Sequence, residues 1–366
     1  MQKNKLKELF RDTSSQLPHK AIQGQVAWRS PSNIAFVKYW GKYGIQLPKN
    51  PSLSMTLSAS YTETRLIFKT AVGQPQRLFL FEGKENEAFS KRIWKFIDSL
   101  SEFFPFLDQL DLQIASKNSF PHSAGIASSA SAMSALALCL VDMHQLIFEQ
   151  EMEAADFYKH ASFIARLGSG SAARSVYGGF SIWGSGNSLH LETNNDFAVV
   201  FNQKVSPVFE DLQDAILIVD EGQKKVSSSV GHSLMNGHPY AENRLMQANK
   251  NIVDLSNALV KGHKESFIKI LESEALSLHA LMMSSDPWFI LMKPQTLQIL
   301  EKIKSYREQR GIFLAFTLDA GPNVHLIYSK DDEKEIKAFI DKELKVFCKN
   351  EHIIFDAMGN GPKKIM

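Results

Sequence analysis

Asn118-Ser-Phe-Pro-His-Ser-Ala-Gly-Ile-Ala-Ser-Ser-Ala-Ser-Ala132 gathers small and hydroxylated side chains around Gly125, directly before the apolar run 133–140. A loop that opens onto a helix leaves backbone N–H groups unpaired at the positive end of the helix dipole. Small side chains let a phosphate approach those groups, and serine hydroxyls add hydrogen bonds or reach a bound Mg²⁺. Taken alone, the stretch reads equally well as a serine-capped, alanine-rich core helix. The Gly-x-x-x-x-Gly-Lys-Ser/Thr phosphate loop occurs neither here nor elsewhere in the chain.

Other segments decide between those readings. Ser30-Pro-Ser-Asn-Ile-Ala-Phe-Val-Lys38-Tyr-Trp-Gly-Lys42 stands near the N-terminus and is followed by Leu53-Ser-Met-Thr-Leu-Ser58. Ala165-Arg-Leu-Gly-Ser169-Gly-Ser171-Ala-Ala-Arg174 lies mid-chain, and Phe316-Thr-Leu-Asp319-Ala-Gly-Pro-Asn323 late. Lys224-Lys-Val-Ser-Ser-Ser229 and Ile353-Ile-Phe-Asp-Ala-Met-Gly-Asn-Gly-Pro362 complete the set. In order and spacing these resemble the diphosphomevalonate decarboxylases of the galactokinase, homoserine kinase and mevalonate kinase (GHMP kinase) superfamily. The resemblance runs from about residue 26 to residue 362. The serine-rich loop points only to the superfamily, whereas Lys-Tyr-Trp-Gly-Lys and Asp-Ala-Gly-Pro-Asn point to the decarboxylase branch. The implied fold is α+β: two GHMP kinase-like domains side by side, with the active site in the cleft between them.

Composition agrees with a two-domain globular chain. Its 366 residues exceed what one hydrophobic core usually serves, and 44% are hydrophobic against 22% charged. A net charge of +2 gives no field for nucleic acid or an anionic membrane. Cys139 and Cys348 are far apart, and Cys139 sits in an apolar helical run, so buried thiols in a reducing cytosol are expected. Residues 1–20 are polar and basic without an apolar signal core, and no run approaches membrane-spanning length, so a cytoplasmic protein is expected.

Residues 1–22 read as a short amphipathic or frayed extension, 23–205 as the first domain and 206–366 as the second. Alternation at 25–29, 53–58, 61–68 and 77–81 predicts strands. Phe89, Ile93, Phe96 and Ile97 predict a helix, and further strands are expected near 112–116, 179–183 and 197–201. A second helix is expected around 154–167. After a strand at 215–219 the second half is helix-rich, with apolar residues three and four apart from Leu245 to Leu259 and from Phe267 to Leu281. Another helix is expected at about 295–307. Strands at 312–317, 324–328 and 352–356 surround a charged helix expected at 331–346.

Asp319 follows an apolar strand, where a carboxylate can face a cleft, although an Asp before a turn commonly bonds its own backbone. Strand alternation puts Lys38 on the opposite face from Tyr39, which leaves a solvated lysine pair, Lys38 and Lys42, as one reading. The Gly-Ser-Gly-Ser-Ala-Ala-Arg stretch reads either as a flexible turn with an ordinary surface Arg or as a segment that lets backbone amides approach an anion while Arg174 grips it bidentately. The resemblance implies more. Asp319 becomes the catalytic residue against the tertiary 3-hydroxyl of mevalonate 5-diphosphate, with Lys38 beside it favouring its charged form. Tyr39, Trp40, Lys42, Ser169, Ser171, Arg174, Lys224, Ser228 and Ser229 become substrate contacts. Ser123, Gly125, Ala127, Ser128 and Ser129 would cradle the phosphates of ATP, with Ser129 also reaching Mg²⁺.

The chain departs from the family pattern at Ser229, where Arg or Thr is usual, at His232, where Met is usual, and at His122. Neither histidine has metal-ligand spacing, so both are expected as polar pocket walls or surface residues. Loss of a charge at Ser229 keeps a monophosphate substrate open beside the diphosphate. A small-molecule kinase and an inactive nucleotide-binding sensor are the remaining alternatives. A homodimer is compatible with the resemblance; the sequence itself gives no oligomeric state.

Overall fold

Two long antiparallel strands, β1 (Gln23–Val37) and β4 (Ser52–Thr70), carry the N-terminal half in the computed structural model, which describes residues 17–18, 21–121, 126–186, 193–222 and 228–366. Most of the 1–22 extension lies outside those residues. Between β1 and β4 runs the small hairpin of β2 (Lys42–Tyr43) and β3 (Leu47–Pro48). The two strands expected at 53–58 and 61–68 form one. The β1–β4 register shifts between Pro31 and Asn33, which leaves residues 57–60 without ladder partners on β1. There the Asp356 carboxylate accepts the N–H groups of Ser58, Ala59 and Ser60 at 2.8, 2.7 and 2.8 Å, so the backbone donors are satisfied and the strand continues.

The remaining strands of this sheet are β5 (Arg77–Phe81), β6 (Lys84–Glu85), β7 (Leu110–Asn118), β8 (Phe180–Trp183), β9 (Val199–Val200) and β14 (Lys363–Lys364). Of the strand expected at 197–201, Val199–Val200 forms β9, and the Phe201 N–H still donates to the Phe180 carbonyl at 2.9 Å. The order is β14-β1-β4-β7-β5-β6, with β8 pairing the start of β4. Strand β14 (Lys363–Lys364) comes from the far end of the chain, so the last residues, expected with the second half, return to pair with β1. Helices α1 (Glu87–Asp98), α2 (Ser128–Phe148) and α3 (Ala154–Gly168) share one core with this sheet. Helix α2 is long and apolar enough by length and composition to cross a membrane, yet 78% of that stretch is buried inside the protein, as in a core helix. Cys139 on α2 is buried as a free thiol, as is Cys348.

The second half contains the short helix α4 (Ser228–Ser233) and then α5 (Ala241–Lys261), α6 (Lys264–Met283) and α7 (Pro294–Arg310). A four-stranded sheet has the order β11-β12-β10-β13, from β10 (Leu212–Leu217), β11 (Leu314–Thr317), β12 (Val324–Ser329) and β13 (Ile353–Ala357). The 331–346 segment, expected as one helix, breaks into α8 (Glu333–Phe339), a wider π turn at Ile340–Leu344 and a 3₁₀ turn at Lys345–Phe347. The wider turn keeps both Ile340 and Leu344 buried in the core.

A second core spans both halves. The later part of β1 and the start of β4 lie over α5 and α6, which is why Ser30 to Val37 is buried throughout and its sequence fails to alternate. Phe267 of α6 stacks on Phe209 at 4.7 Å and meets Phe36 of β1 edge-on at 5.4 Å. Burial of such a ring contributes about 1.5–3 kcal/mol. It also holds the end of β1 against α6, and that contact aims the residues that follow Val37.

Candidate active site

Strand β1 ends at Val37, and the chain turns there into a cleft of about 540 Å³. Lys38, Tyr39, Trp40 and Lys42 all line it, so the strand alternation expected to separate Lys38 from Tyr39 stops one residue too early to do so. Lys38 is almost fully buried, and its ammonium lies 3.2 Å from Oδ1 of Asp319, whose side chain is 25% exposed. Burial pulls the Lys38 pKa below the usual lysine value, while the charge and hydrogen bond of Asp319 pull it back up. Asp319 sits just past β11, and its carbonyl accepts from Gly321 N–H at 2.7 Å and from His279 Nε2 at 3.1 Å. Asn323 fastens the same turn by accepting from Val219 and Asp220 N–H at 2.8 and 2.9 Å. The Asp-Ala-Gly-Pro-Asn motif is therefore a braced turn that presents one carboxylate.

Arg174, far from being a surface side chain, is 2% exposed. Its guanidinium donates to the Ser52 hydroxyl and, through Nε, to Asn33 Oδ1 at 3.4 Å. Burial lowers its pKa to about 10, with Asp319 and Tyr39 acting in the opposite sense, so it stays cationic at neutral pH. The 3₁₀ segment Gly170–Val176 that carries it packs tightly. A Cβ at Gly170 would fall 2.7 Å from the Trp183 ring. The Tyr39 hydroxyl is buried with no hydrogen-bond partner among the described residues, and burial raises its pKa, which leaves a neutral phenol beside the cleft. A buried hydroxyl without a partner is costly unless a ligand satisfies it.

His232 packs against Tyr39 (ring centroids 4.3 Å apart) and against Trp40 (4.7 Å), so it is a cleft wall, as its sequence context suggested. Trp40 is itself buried, with one edge in the cluster of Met235, Leu278 and Leu281. Lys42 Nζ donates to Gln46 Oε1 at 3.1 Å at the same end of the cleft.

Elsewhere on the cleft lining, Ala127 adopts a left-handed conformation (φ 42°) and caps α2 with no side-chain hydrogen bond. Ala127, Ser128 and Ser129 line the cleft, and Ser129 Oγ lies 3.4 Å from Ser169 Oγ. Ser171 lines the same wall, and its carbonyl accepts from Asn33. A smaller apolar pocket with Phe79, Phe81, Phe89 and Ile114 adjoins, sharing Ser128, Ser129 and Arg92 with the cleft. Of the expected site residues, Ser123, Gly125 and Lys224 lie outside the described residues, as do the side chains of Ser228 and Ser229 and the departure at His122.

Asn33, Gln46, Arg92, His279, Arg244 and Glu274 were not anticipated. Asn33 lies inside a motif that drew attention for its lysines. Arg244 and Glu274 stand on the apolar stripes of α5 and α6, in register with Ala248 and Ile252 and with Leu271 and Leu278. A charge on an apolar stripe was the one signal that could have found them.

Known proteins place the chain in a family. A family model described as the diphosphomevalonate decarboxylase-like N-terminal domain matches residues 30–196, and one described as the mevalonate 5-diphosphate decarboxylase C-terminal domain matches residues 215–364. The Saccharomyces cerevisiae diphosphomevalonate decarboxylase is 30% identical over 328 residues, 86% of this chain and 80% of its own length. The chain belongs to the diphosphomevalonate decarboxylase family. The Staphylococcus aureus mevalonate diphosphate decarboxylase superposes with a TM-score of 0.80 at 28% identity, covering 94% of this chain and 99% of that one. The chain solved as MDDEF in complex with MVAPP, AMPPCP and magnesium gives a TM-score of 0.78 at 28% identity, with the same coverage. These likenesses bear out the α+β GHMP kinase-like fold.

Proposed function

We propose that this protein catalyses the ATP-dependent decarboxylation of mevalonate 5-diphosphate to isopentenyl diphosphate, CO₂, ADP and phosphate. The 3.2 Å approach of the Lys38 ammonium to Asp319, in a cleft that Lys42, Arg174, Ser128 and Ser129 also line, carries this reading. Asp319 orients the tertiary 3-hydroxyl and takes its proton as the oxygen attacks the γ-phosphorus of ATP, with ADP leaving. The new 3-phosphate departs with the C–O electron pair. The C1–C2 bond then breaks, its electrons close the C2=C3 double bond, and C1 leaves as CO₂. No electron-sink cofactor is required, since the departing phosphate takes that part.

Arg174 grips the substrate carboxylate with Ser169 and Ser171 at the border of the pocket, and the Tyr39 hydroxyl finds there the partner it otherwise lacks. Trp40, Lys42, Lys224, Ser228 and Ser229 form the diphosphate end. The nucleotide phosphates lie over the start of α2, where Ser123, Gly125, Ala127, Ser128 and Ser129 meet them. A loop whose donors are small hydroxyls beside uncapped N–H groups suits a magnesium nucleotide, with Ser129 as the ligand. Held there with the nucleotide, Mg²⁺ would supply positive charge against the phosphate oxygens. Phe79, Phe81 and Phe89 offer a flat apolar seat for the base. On this reading the partners are two small molecules, neither nucleic acid nor membrane is involved, and the setting is the cytoplasm.

CO₂ release from mevalonate 5-diphosphate, dependent on ATP and Mg²⁺ and matched by ADP formation, is the expected outcome. ADP formation without CO₂ would make the protein a kinase, and neither product would leave only a nucleotide-binding sensor.

A further inference from the structure

We infer that Arg244 and Glu274 are positioning residues for Lys38: a buried ion pair that grips the lysine's own peptide and keeps its ammonium against Asp319. The inference rests on the reading of Lys38 and Asp319 as the pair at the reacting hydroxyl. Glu274 is fully buried and Arg244 nearly so. Their bond is bidentate, Nη1 to Oε1 at 2.7 Å and Nη2 to Oε2 at 2.6 Å. What they do next is unusual for a packing pair. Glu274 Oε2 accepts the Lys38 N–H at 2.8 Å, and Arg244 Nη2 donates to the Lys38 carbonyl at 3.1 Å. Asn50 Nδ2 donates to the same carbonyl at 2.9 Å, and Asn251 Nδ2 donates to Glu274 Oε1 at 2.7 Å.

Strand pairing ends before this point. Lys38 is the first residue past β1, so its peptide has lost the ladder that fixes its predecessors. Two helices of the other half replace that ladder with charge-assisted bonds, which are stronger than the neutral ones they succeed. A buried ion pair is in general no better for stability than an apolar pair of the same volume. Its placement on both the N–H and the carbonyl of one residue, next to the cleft but outside its lining, therefore calls for a role in what that residue does.

The pair also acts through space. Asp319, in contact with the Lys38 ammonium, and Glu274 act on it as anions and Arg174 acts on it as a cation, while His279 on α6 and Asp214 on β10 feel its charge. Arg244 lies beyond Glu274 and touches only the lysine's backbone. Burial favours loss of the proton from Lys38, and Glu274 opposes that loss. Removal of the Glu274 charge lowers the pH at which Lys38 deprotonates.

The test is the pH profile of kcat/KM for CO₂ release in wild type, Glu274→Gln and Arg244→Lys. In Glu274→Gln the alkaline limb is expected to move down by about one pH unit, with kcat reduced about tenfold. In Arg244→Lys kcat falls similarly without a downward move of the limb, because the carboxylate remains. Nucleotide KM stays within about twofold in both, since neither residue lines the cleft. An unmoved limb in folded Glu274→Gln overturns the inference. Should that variant fail to fold, Arg244→Lys decides alone: normal kcat overturns the inference, and reduced kcat with unchanged KM supports it. A wild type that releases no CO₂ removes the proposed reaction instead, and the Lys38 ionisation followed by lysine NMR in the same proteins then decides the positioning.

Discussion

The backbone N–H of Gly41 ends on Nδ1 of His232, 3.0 Å away, so this imidazole carries its proton on Nε2 and is neutral. Burial first, and Lys42 second, lower its pKa to about 3. Burial likewise lowers His144 and His279 to about 4. Unfolded histidines take up protons below about 6.5 while these folded ones do not, so the unfolded state binds more protons on acidification. Stability should therefore be fully present above pH 6.5 and fall towards pH 4, each group adding a slope of up to about 1.4 kcal/mol per pH unit. Urea melts at pH 7.5 and pH 5 check this. The drop should be smaller in His232→Met, and an equal drop would mean that His232 protonates freely in the fold.

Asp319→Asn keeps the size of the side chain and removes the charge opposite Lys38. Turnover should fall by roughly 10²-fold or more, the scale for a positioned acid–base group, with substrate affinity changed far less. Steady-state CO₂ release and calorimetric titration of the substrate separate the two quantities. Turnover near that of wild type in a folded variant would take Asp319 out of the proton transfer.

Much of this architecture was legible from periodicity. Arg77 to Phe81 and the helix around Phe89 to Ile97 were readable nearly to the residue, because one buried face repeats at two or at 3.6 residues. Lys38 was not, because alternation holds only while a strand lasts, and β1 ends at Val37. No local pattern links Lys38 to Asp319, 281 residues on. Motif resemblance brought them together on paper, and the folding of β1 over α6 does so in space. Arg244 and Glu274 have no motif at all. Their grip on Lys38 is a long-range contact between a strand end and two helices, visible in sequence only as charges where apolar residues belong.

Arg174→Lys retains a positive charge in the buried site but loses the planar fork that meets both Ser52 and Asn33. Substrate KM should rise about tenfold or more, while nucleotide affinity stays within about threefold. Ser129→Ala should do the converse and weaken the magnesium nucleotide. Calorimetric titration of both variants with Mg–ATP distinguishes them. A nucleotide defect in Arg174→Lys with none in Ser129→Ala would exchange the two assignments.

On the proposed reading, the Lys42 end of the cleft sets which substrate is preferred. A second phosphate adds negative charge, and its lost hydration must be replaced by donors. Lys42 and His232 are the described candidates at that end, and the proposed function assigns the Lys224-Lys-Val-Ser-Ser-Ser229 segment to it on motif resemblance alone. Serine in place of arginine at 229 removes one charge, but Lys224 and Lys225 can still give charge-assisted bonds, and Ser227 to Ser229 can add neutral ones. Mevalonate 5-diphosphate should therefore be preferred over mevalonate 5-phosphate by at least about tenfold in kcat/KM, which requires only ~1.4 kcal/mol of differential transition-state binding. Competition between the two substrates, followed by CO₂ release, measures it directly. A reversed or absent preference would show that this end of the cleft does not read the second phosphate, and decarboxylation of the monophosphate would then be the better description of the reaction.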